Sequence, residues 1–347
     1  MSDSALHRWY GERMKKALLW LRRTGYGLVA AVLVSIPAGY WLWQERDSID
    51  DIELMTDEPT EAGTVTVTWL GVTTLLFDDG ETQVLIDGFF SRPGILDVLF
   101  LRPIVSDAAN INYALDEFRM RRLAAVIPVH SHYNHAMDVG AIANRTSASV
   151  VGTESTANIA RGAGVPVDQI ILATNGDSFQ FGRFTVTLIT SRHVPNGFGD
   201  SHLLAGFMSE PVPQPAAFTA WREGGSWSIL IGHPNGTTLV QGSAGFIEEA
   251  LLNAQADVVM LSAAGLKSQG LHYANEYWEQ IVLATGAKRV YLIHHDDFTQ
   301  PFGEIKLFPK VLDDVVVTTQ WLNRLAEAGK DNIEIRLPLF GKPLTLY

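Results

Sequence analysis

Three histidines fall within six residues, at the point where a predicted strand ends. The run HSHYNH extends from His130 to His135 and follows the apolar segment 124–129. An extended backbone points the side chains of His130 and His132 to the same side, and the turn into the next helix brings His135 to the same corner. Neutral imidazoles gathered in this way suit zinc, iron or nickel, whereas the alternative interpretation is a polar surface turn.

Two further strand ends carry histidines. His193 follows the strand predicted at 184–190, and His294 follows the strand predicted at 288–293. A sheet builds a site from residues at the ends of its strands, which a surface turn alone does not explain. The chain has no cysteine, so a metal must be held by nitrogen and oxygen ligands. The metal ligands that we expect are five histidines: His130, His132, His135, His193 and His294.

Short apolar segments typical of strands alternate with segments of helical periodicity from residue 64 onward. The predicted strands lie at 64–70, 73–77, 83–87, 124–129, 184–190, 227–231, 237–241, 257–261 and 288–293. The predicted helices lie at 110–121, 153–162, 245–254, 273–284 and 313–328. Because strands and helices are interspersed, we expect an α/β or α+β fold with a sheet core and outer helices.

The order and spacing of these residues resemble the motif set of the metallo-β-lactamase superfamily, whose first element is His-x-His-x-Asp-His. The residues that carry the resemblance are His130-x-His132-x-Asn134-His135, His193, Gly242-Ser243 and His294. The resemblance covers most of residues 64 to 300 and implies a four-layer αββα sandwich with a metal site at one edge. The wording around the motifs looks most like the branch that contains N-acyl-phosphatidylethanolamine phospholipase D and ascorbate-6-phosphate lactonase types.

The resemblance also implies how the ligands divide between metals. His130, His132 and His193 would hold one ion, while His135 and His294 would contribute to a second. Zinc is the expected metal, with one ion favoured over two, and manganese and iron are alternatives.

Two carboxylates of the family pattern are missing from this sequence. Asn134 stands where the family has Asp, and Ser243 stands where a bridging Asp follows Gly. An amide oxygen ligates a metal without neutralising its charge, so a second ion should bind weakly, while three histidines still support a one-metal hydrolase. Asn134 and Asp296 are the candidate catalytic residues, Asp296 as a base or oxygen ligand. The alternative for Asp296 and Asp297 is that they cap the turn after the strand.

Other polar residues have two interpretations each. Asp87 and Asp138 either orient a ligand imidazole or serve the local backbone. Arg192, beside His193, either meets an anionic substrate or is solvated. The remaining histidines of the domain are expected at the surface or in loops: His202, His233, His272 and His295. The segment 195–225 is expected to cover the site, and an apolar pocket is expected from aromatic residues: Phe198, Phe207, Phe218, Trp221 and Trp227.

Residues 24–44 carry no charge, and their 21 residues would span about 30 Å as a helix. Basic residues precede this segment and acidic residues follow it, so the predicted organisation is a basic cytoplasmic segment (1–23), a transmembrane anchor (24–44), an acidic, poorly ordered linker (45–62) and a hydrolase domain (63–347). The domain would then be extracytoplasmic, in the periplasm. A buried core helix and a cleaved signal peptide are the alternatives.

The predicted function is a membrane-anchored metal-dependent hydrolase, in which a metal-bound hydroxide attacks an ester, lactone, amide or phosphodiester. A small-molecule or lipid-like substrate is expected. A net charge of −12 disfavours nucleic acid as a partner. The alternative, motivated by Asn134 and Ser243, is a catalytically degenerate family member that binds a metal or ligand.

Overall fold

The computed structural model describes residues 3–52, 54–56, 65–195, 204–329 and 332–347. The chain divides into two compact units. The first contains residues 1–46 with 309–311, and the second contains residues 47–308 with 312–347.

The first unit contains one long helix, α1, over Asp3–Gln44. Among the described residues, no helix combines the length and the apolar content needed to cross a membrane. The anchor predicted at 24–44 is therefore not confirmed. The side chains of residues 27–32 and 36, within that prediction, lie outside the described ones.

The second unit is built on two mixed sheets. The strands are β1 (Met55–Thr56), β2 (Thr66–Trp69), β3 (Leu75–Asp78), β4 (Gln83–Ile86), β5 (Leu123–Ile127), β6 (Ser149–Gly152), β7 (Ile170–Leu172), β8 (Ser178–Phe181), β9 (Phe184–Ser191), β10 (Ser226–His233), β11 (Gly236–Gln241), β12 (Val258–Ser262), β13 (Arg289–Ile293), β14 (Glu334–Leu337) and β15 (Pro343–Thr345). The larger sheet has the order β1-β14-β13-β12-β11-β10-β9-β8, and the smaller sheet has the order β15-β2-β3-β4-β5-β6-β7.

Helices cover the outer face of each sheet. They are α2 (Ile95–Leu99), α3 (Ala108–Glu117), α4 (Tyr133–Ala136), α5 (Val139–Thr146), α6 (Glu154–Gly162), α7 (Leu266–Gln269), α8 (Leu271–Trp278), which continues as a π-helical turn over Glu279–Leu283, and α9 (Val315–Ala328). One apolar core joins α7, α8 and α9 to the larger sheet, a second joins α3, α5 and α6 to the smaller sheet, and a third lies between the sheets. The four-layer αββα arrangement predicted from the sequence is confirmed.

The apolar pattern of the strands explains this layering. In β9, the buried residues Phe184, Val186 and Leu188 alternate with more exposed ones, as in a strand with one face on a core. In β12, every residue is buried, as expected for a strand with parallel neighbours and a covered surface on both faces.

Two of the strand ends that carry histidines share one edge of the larger sheet. β9 is antiparallel to β10, which is antiparallel to β11, while β11, β12 and β13 are parallel. β9 and β13 therefore end at the same edge. In the smaller sheet, the chain leaves β5 through the HSHYNH run and enters α4.

Two predicted segments of the second unit have a different structure from the one expected. Residues 245–254 form turns instead of a helix. Part of the predicted linker 45–62 is ordered: Ile49–Asp51 forms a 3-10 turn capped by Ser48, β1 pairs with β14, and Ile52 is buried in the core under α9. Residues 53 and 57–62 of that prediction lie outside the described ones. Buried apolar residues between the acidic ones attach this segment to the second unit.

Candidate metal centre

The structure brings together three of the five predicted ligands, which we call the histidine triad: His130, His132 and His193. One ring nitrogen of each lies within 4.8 Å of the others. Nε2 of His130 lies 3.0 Å from Nδ1 of His132, and the centroid of the His193 ring lies 4.9 Å from the centroids of both. Residues far apart in sequence therefore present nitrogen atoms to one small volume.

Backbone carbonyls fix the orientation of two of these imidazoles. Nε2 of His132 donates a hydrogen bond to the carbonyl oxygen of Leu204 at 3.3 Å, and Nδ1 of His193 donates to that of Val194 at 3.0 Å. A neutral imidazole carries one N–H, so Nδ1 of His132 and Nε2 of His193 keep their lone pairs. Nδ1 of His130 has no hydrogen-bond partner, and Nε2 of His130 faces His132. An imidazole that binds a metal usually donates its other ring N–H to a carbonyl or carboxylate, as His132 and His193 do here.

Two imidazoles of the triad, those of His130 and His132, are uncharged at neutral pH. Burial, with the charge of His193, lowers the pKa of His132 to about 3. Burial and the neighbouring histidines hold the pKa of His130 well below its usual range. Because neutral nitrogens bind cations and protonated ones repel them, the donor set fits a divalent metal of the zinc type.

His135 and its partners form a different arrangement, which we call the amide-capped histidine. Nδ1 of His135 donates to Oδ2 of Asp87 at 2.7 Å, and the hydroxyl of Thr73 donates to the same oxygen. Nδ2 of Asn134 donates to Nε2 of His135 at 2.9 Å. Both nitrogens of this imidazole therefore have partners without a cation. Burial raises the pKa of Asp87 well above its usual value, against hydrogen bonds from Thr73 and Val129.

His294 lies beside the amide-capped histidine. Its ring centroid is 5.2 Å from that of His135, and its backbone N–H donates to the carbonyl of Val72 at 2.8 Å. Burial is the main cause that lowers the pKa of His294 to about 4. Within the described residues, the group of side chains arranged to hold a metal contains the triad without His135 and His294.

Asp296, predicted as a base or oxygen ligand, forms a buried ion pair with Arg92. Nη1 of Arg92 lies 3.0 Å from one carboxylate oxygen, and the backbone N–H of Val72 donates to the other at 2.7 Å. Burial raises the pKa of Asp296, but the charges of Arg92 and His295 outweigh it, so the pKa is lowered. These contacts favour a role in fixing the loop of His294, and the catalytic roles of Asn134 and Asp296 remain predictions.

The neighbouring carboxylates act on the backbone. Asp297 accepts hydrogen bonds from the N–H and hydroxyl of Thr299. It therefore caps the turn after the strand, which was one of its two expected roles. Asp138 accepts from the backbone N–H groups of Phe90 and Ser91 and from the Ser91 hydroxyl, which fixes the loop after β4. Of the two carboxylates considered as orienting groups, Asp87 is the one that contacts an imidazole.

Ser243 has a supporting role that the sequence analysis missed. Its hydroxyl oxygen accepts a hydrogen bond from the backbone N–H of Val194 at 3.0 Å, directly after His193. A serine at this position therefore holds the loop that carries a triad histidine. The pair Gly242-Ser243 after a strand can be recognised in the sequence, but its contact with the loop of His193 cannot.

Two of the histidines expected at the surface or in loops are buried. His233 is buried, with Nε2 3.6 Å from a carboxylate oxygen of Asp79, and His295 is buried with its ring 4.6 Å from Trp69. Phe184 of the adjacent strand β9 packs against His233, and Trp69 of the smaller sheet packs against His295. His272 is exposed beside Glu276, as predicted.

The predicted aromatic pocket is not a single pocket. Trp221 is buried in the core over the smaller sheet, whereas Trp227 belongs to the core between the sheets. Phe207 is 75% exposed, Phe218 packs against Tyr133, and Phe198 lies outside the described residues. Aromatic residues close in sequence therefore point into different layers.

The segment 195–225 contributes to the triad through its described part. Residues 196–203, which include His202, lie outside the described residues. From Leu204 onward the segment is anchored, because Ser131 in the HSHYNH run donates to the backbone of Glu223 at 2.8 Å. Its Leu204 carbonyl then orients His132.

A cleft of about 440 Å³ opens beside His193. Its lining is formed by Arg192, His193, Pro195, Phe246, Ile247, Glu248 and Tyr273. His193 is the triad residue that lines this cleft.

Comparisons with known proteins establish the fold. The chain is similar to the solved structure of Igni18, described as a metallo hydrolase from Ignicoccus hospitalis KIN4/I, with a TM-score of 0.52 and 14% identity over 82% of this chain and 100% of that one. It is also similar to an isothiocyanate hydrolase from Delia radicum gut bacteria, with a TM-score of 0.50 and 14% identity over 81% of this chain and 99% of that one. The chain thus shares the overall fold of these two hydrolases.

One curated relative matches a shorter region. The UPF0173 metal-dependent hydrolase of Heliobacterium modesticaldum is 30% identical over 121 residues, which cover 35% of this chain and 43% of the relative. The chain thus spans less than half of that relative's length. No protein-family model matches the chain. The prediction of a metal-dependent hydrolase agrees with the names of these proteins.

Proposed function

We propose that the chain is a hydrolase that depends on a metal held by the histidine triad. The observation that carries the proposal is the convergence of three imidazoles, two of them oriented by hydrogen bonds to backbone carbonyls. Three histidines with an open coordination position are the ligand set of catalytic zinc sites. We propose zinc as the metal, with manganese and iron as the alternatives to compare.

The chain's own residues would orient the reaction. A bound divalent metal supplies Lewis acidity, which polarises a carbonyl or phosphoryl oxygen and lowers the pKa of water. The carbonyls of Leu204 and Val194 hold two ligand rings in position, and the Ser243 hydroxyl holds the loop of His193. The cleft beside His193 admits the substrate, which we propose to be an ester, lactone, amide or phosphodiester of a small or lipid-like molecule.

We propose one metal ion per chain. The amide of Asn134 donates to the nitrogen of His135 that would face a second ion, so binding there requires this hydrogen bond to break. The uncharged amide and the Ser243 hydroxyl also provide no negative charge to balance a second cation. This arrangement favours a mononuclear site.

A second candidate function is a degenerate protein that binds a metal or ligand without hydrolysis. The observation that favours it is that Asp296, the predicted base, is paired with Arg92. Substitution of Asn134 by Asp separates the candidates. An enzyme hydrolyses substrate with either residue, whereas a degenerate protein is inactive until the carboxylate is restored.

The membrane anchor at 24–44, with the domain in the periplasm, is also a proposal. It is supported by the uncharged sequence between a basic and an acidic segment, and by the exposure of Leu33 (67%) and Val34 (70%) on α1. An anchored domain would meet lipid-like substrates, as the resemblance to the phospholipase and lactonase branch suggests. Protein that is released from membranes by alkaline carbonate would contradict the anchor.

The test of the proposed function is hydrolysis by protein reconstituted separately with zinc, manganese and iron. Suitable substrates are p-nitrophenyl butyrate, bis(p-nitrophenyl) phosphate, a p-nitroanilide and a simple lactone. We expect one bond type to be cleaved with the wild-type chain and not with His193→Ala, while His272→Ala, at an exposed histidine, retains activity. Absence of turnover with every metal would support the degenerate protein.

A further inference from the structure

The cleft beside His193 is formed by two chain segments whose backbones touch. A Cβ atom added at Gly245 would collide with the carbonyl oxygens of Arg192 and His193. The contact therefore requires glycine at this position, and it places Phe246 directly beside the triad loop. The apolar wall and the triad loop are thus fixed relative to each other.

One wall of the cleft is aromatic and aliphatic. The rings of Phe246 and Tyr273 lie 5.3 Å apart, and the Tyr273 hydroxyl donates to the carbonyl of Ala244 at 3.0 Å. That hydrogen bond holds the tyrosine with its ring against Phe246. Ile247 completes the apolar lining. Such a surface suits a short hydrocarbon or aromatic group.

The cleft is also lined by a positively charged residue, Arg192. Arg192 is exposed, lies next to a triad histidine, and makes no hydrogen bond or ion pair within the described residues. Arg92, by contrast, is paired with Asp296. A planar guanidinium with unused donors binds a carboxylate or a phosphate through paired hydrogen bonds.

We propose that this cleft selects anionic amphiphiles: substrates whose carboxylate or phosphate group binds Arg192 while an adjoining apolar group packs on Phe246, Ile247 and Tyr273. The inference rests on the proposed function in that the cleft leads the substrate to the triad. Glu248 also lines the cleft and opposes an anion, so the affinity comes from Arg192 and the apolar wall together.

Binding of inert ligands tests the proposal without hydrolysis. Hexanoate, hexanamide and hexylammonium have the same chain length and differ in head-group charge. We would titrate each into the full chain in a non-ionic detergent with EDTA, so that no metal binds the carboxylate, and measure affinity by calorimetry. Hexanoate should bind about fivefold more tightly than hexanamide, as expected for one partly exposed charged hydrogen bond. Hexylammonium should bind most weakly.

Variants assign this preference to the cleft. Arg192→Gln should remove the difference between hexanoate and hexanamide, whereas Arg119→Gln, at an exposed arginine outside the cleft, should preserve it. Glu248→Gln should strengthen hexanoate binding, because it removes a like charge. Phe246→Ala should weaken hexanoate and hexanamide equally.

Equal binding of hexanoate and hexanamide to the wild-type chain would overturn the proposal, as would an unchanged preference in Arg192→Gln. Failure of the proposed function has a different signature. A protein that shows the charge preference but cleaves no ester, lactone, amide or phosphodiester retains the binding site and lacks the reaction.

Discussion

The histidine triad and the amide-capped histidine lie side by side and use the same residue type in opposite ways. In the triad, backbone carbonyls take the N–H groups of His132 and His193, so that lone pairs point inward. In the amide-capped histidine, Asp87 takes the N–H of His135 and the amide of Asn134 meets its lone pair. The triad gathers three ring nitrogens within reach of one cation, whereas both nitrogens of the amide-capped histidine are engaged by Asp87 and Asn134.

This difference shows how one side chain changes a metal site. An Asp at position 134 would offer an oxygen ligand and a negative charge. The amide of Asn134 instead donates a hydrogen bond to Nε2 of His135 and so occupies a nitrogen that could bind a metal. Asp87 accepts hydrogen bonds from both Thr73 and His135. With Asn134 on its other nitrogen, His135 is therefore part of a structural chain of hydrogen bonds. Substitutions can disturb one of these two regions and leave the other intact.

The largest effect should come from breaking the buried ion pair between Arg92 and Asp296. Arg92→Leu leaves Asp296 buried and unpaired. Loss of this ion pair should reduce the free energy of unfolding by about 3–5 kcal/mol. Arg121→Leu, which breaks an exposed pair with Asp116, should cost less than about 1 kcal/mol. Urea denaturation measures both. Equal effects would show that the buried pair does not support the loop of His294.

The next effect concerns zinc affinity. His193→Ala removes a triad ligand and should weaken zinc binding more than about 100-fold, beyond the usual cost of losing an outer partner. His135→Gln should weaken it by less than about tenfold, since His135 would lie outside the ligand set. Competition with a chromophoric chelator gives both affinities. A larger loss in His135→Gln than in His193→Ala would reverse the assignment of the two regions.

The pH dependence of stability should be shared by both regions. The pKa values of His132 and His294, about 3 and about 4, are below that of a histidine in an unfolded chain. Their stabilising contribution is therefore complete above the unfolded pKa and is lost as the pH falls towards the folded value. Between pH 7.5 and 5, each should cost the metal-free protein about 2 kcal/mol.

Variants test the source of this slope. His132→Gln and His294→Gln should each reduce the dependence of unfolding free energy on pH, measured in EDTA. His272→Gln, at an exposed residue, is the matched control. A slope that both variants leave unchanged would mean that other groups cause the acid sensitivity.

The smallest effect should be the gain of a second metal. Asn134→Asp replaces the amide with a carboxylate, and a charge about 4 Å from a cation contributes about 4 kcal/mol at an effective dielectric constant of 20, most of which desolvation offsets. We expect zinc to bind at the second position at least about tenfold more tightly than in the wild type. Asn144→Asp, at an exposed asparagine, should not change it. Calorimetric titration with zinc resolves the two sites.

The layered fold was predictable because its signals are local. The strands at 184–190, 237–241 and 288–293 were evident from apolar and β-branched residues, and each recurs as a strand within one or two residues. Short strands such as β7 and β15 were missed, since three residues carry little periodicity and depend on pairing across the chain. The turns at 245–254 mimic helical spacing because Leu251 and Ala254 are buried there without a helix.

The candidate site was predictable in its residue types and less so in its contacts. Histidines at three strand ends pointed to one corner, and the structure brings His130, His132 and His193 together. The hydrogen bond from Asn134 to His135 and the pairing of Asp296 with Arg92 could not be inferred. Both depend on side-chain directions in loops, which a linear spacing does not specify.

We expect the triad to hold one metal ion and the amide-capped histidine to hold none. The number of zinc ions per chain tests this expectation. It is measured by elemental analysis together with protein concentration, after equilibration with excess zinc and removal of free metal. We expect one ion per wild-type chain and none in His193→Ala. Two ions per wild-type chain, or one ion that survives in His193→Ala, would contradict it.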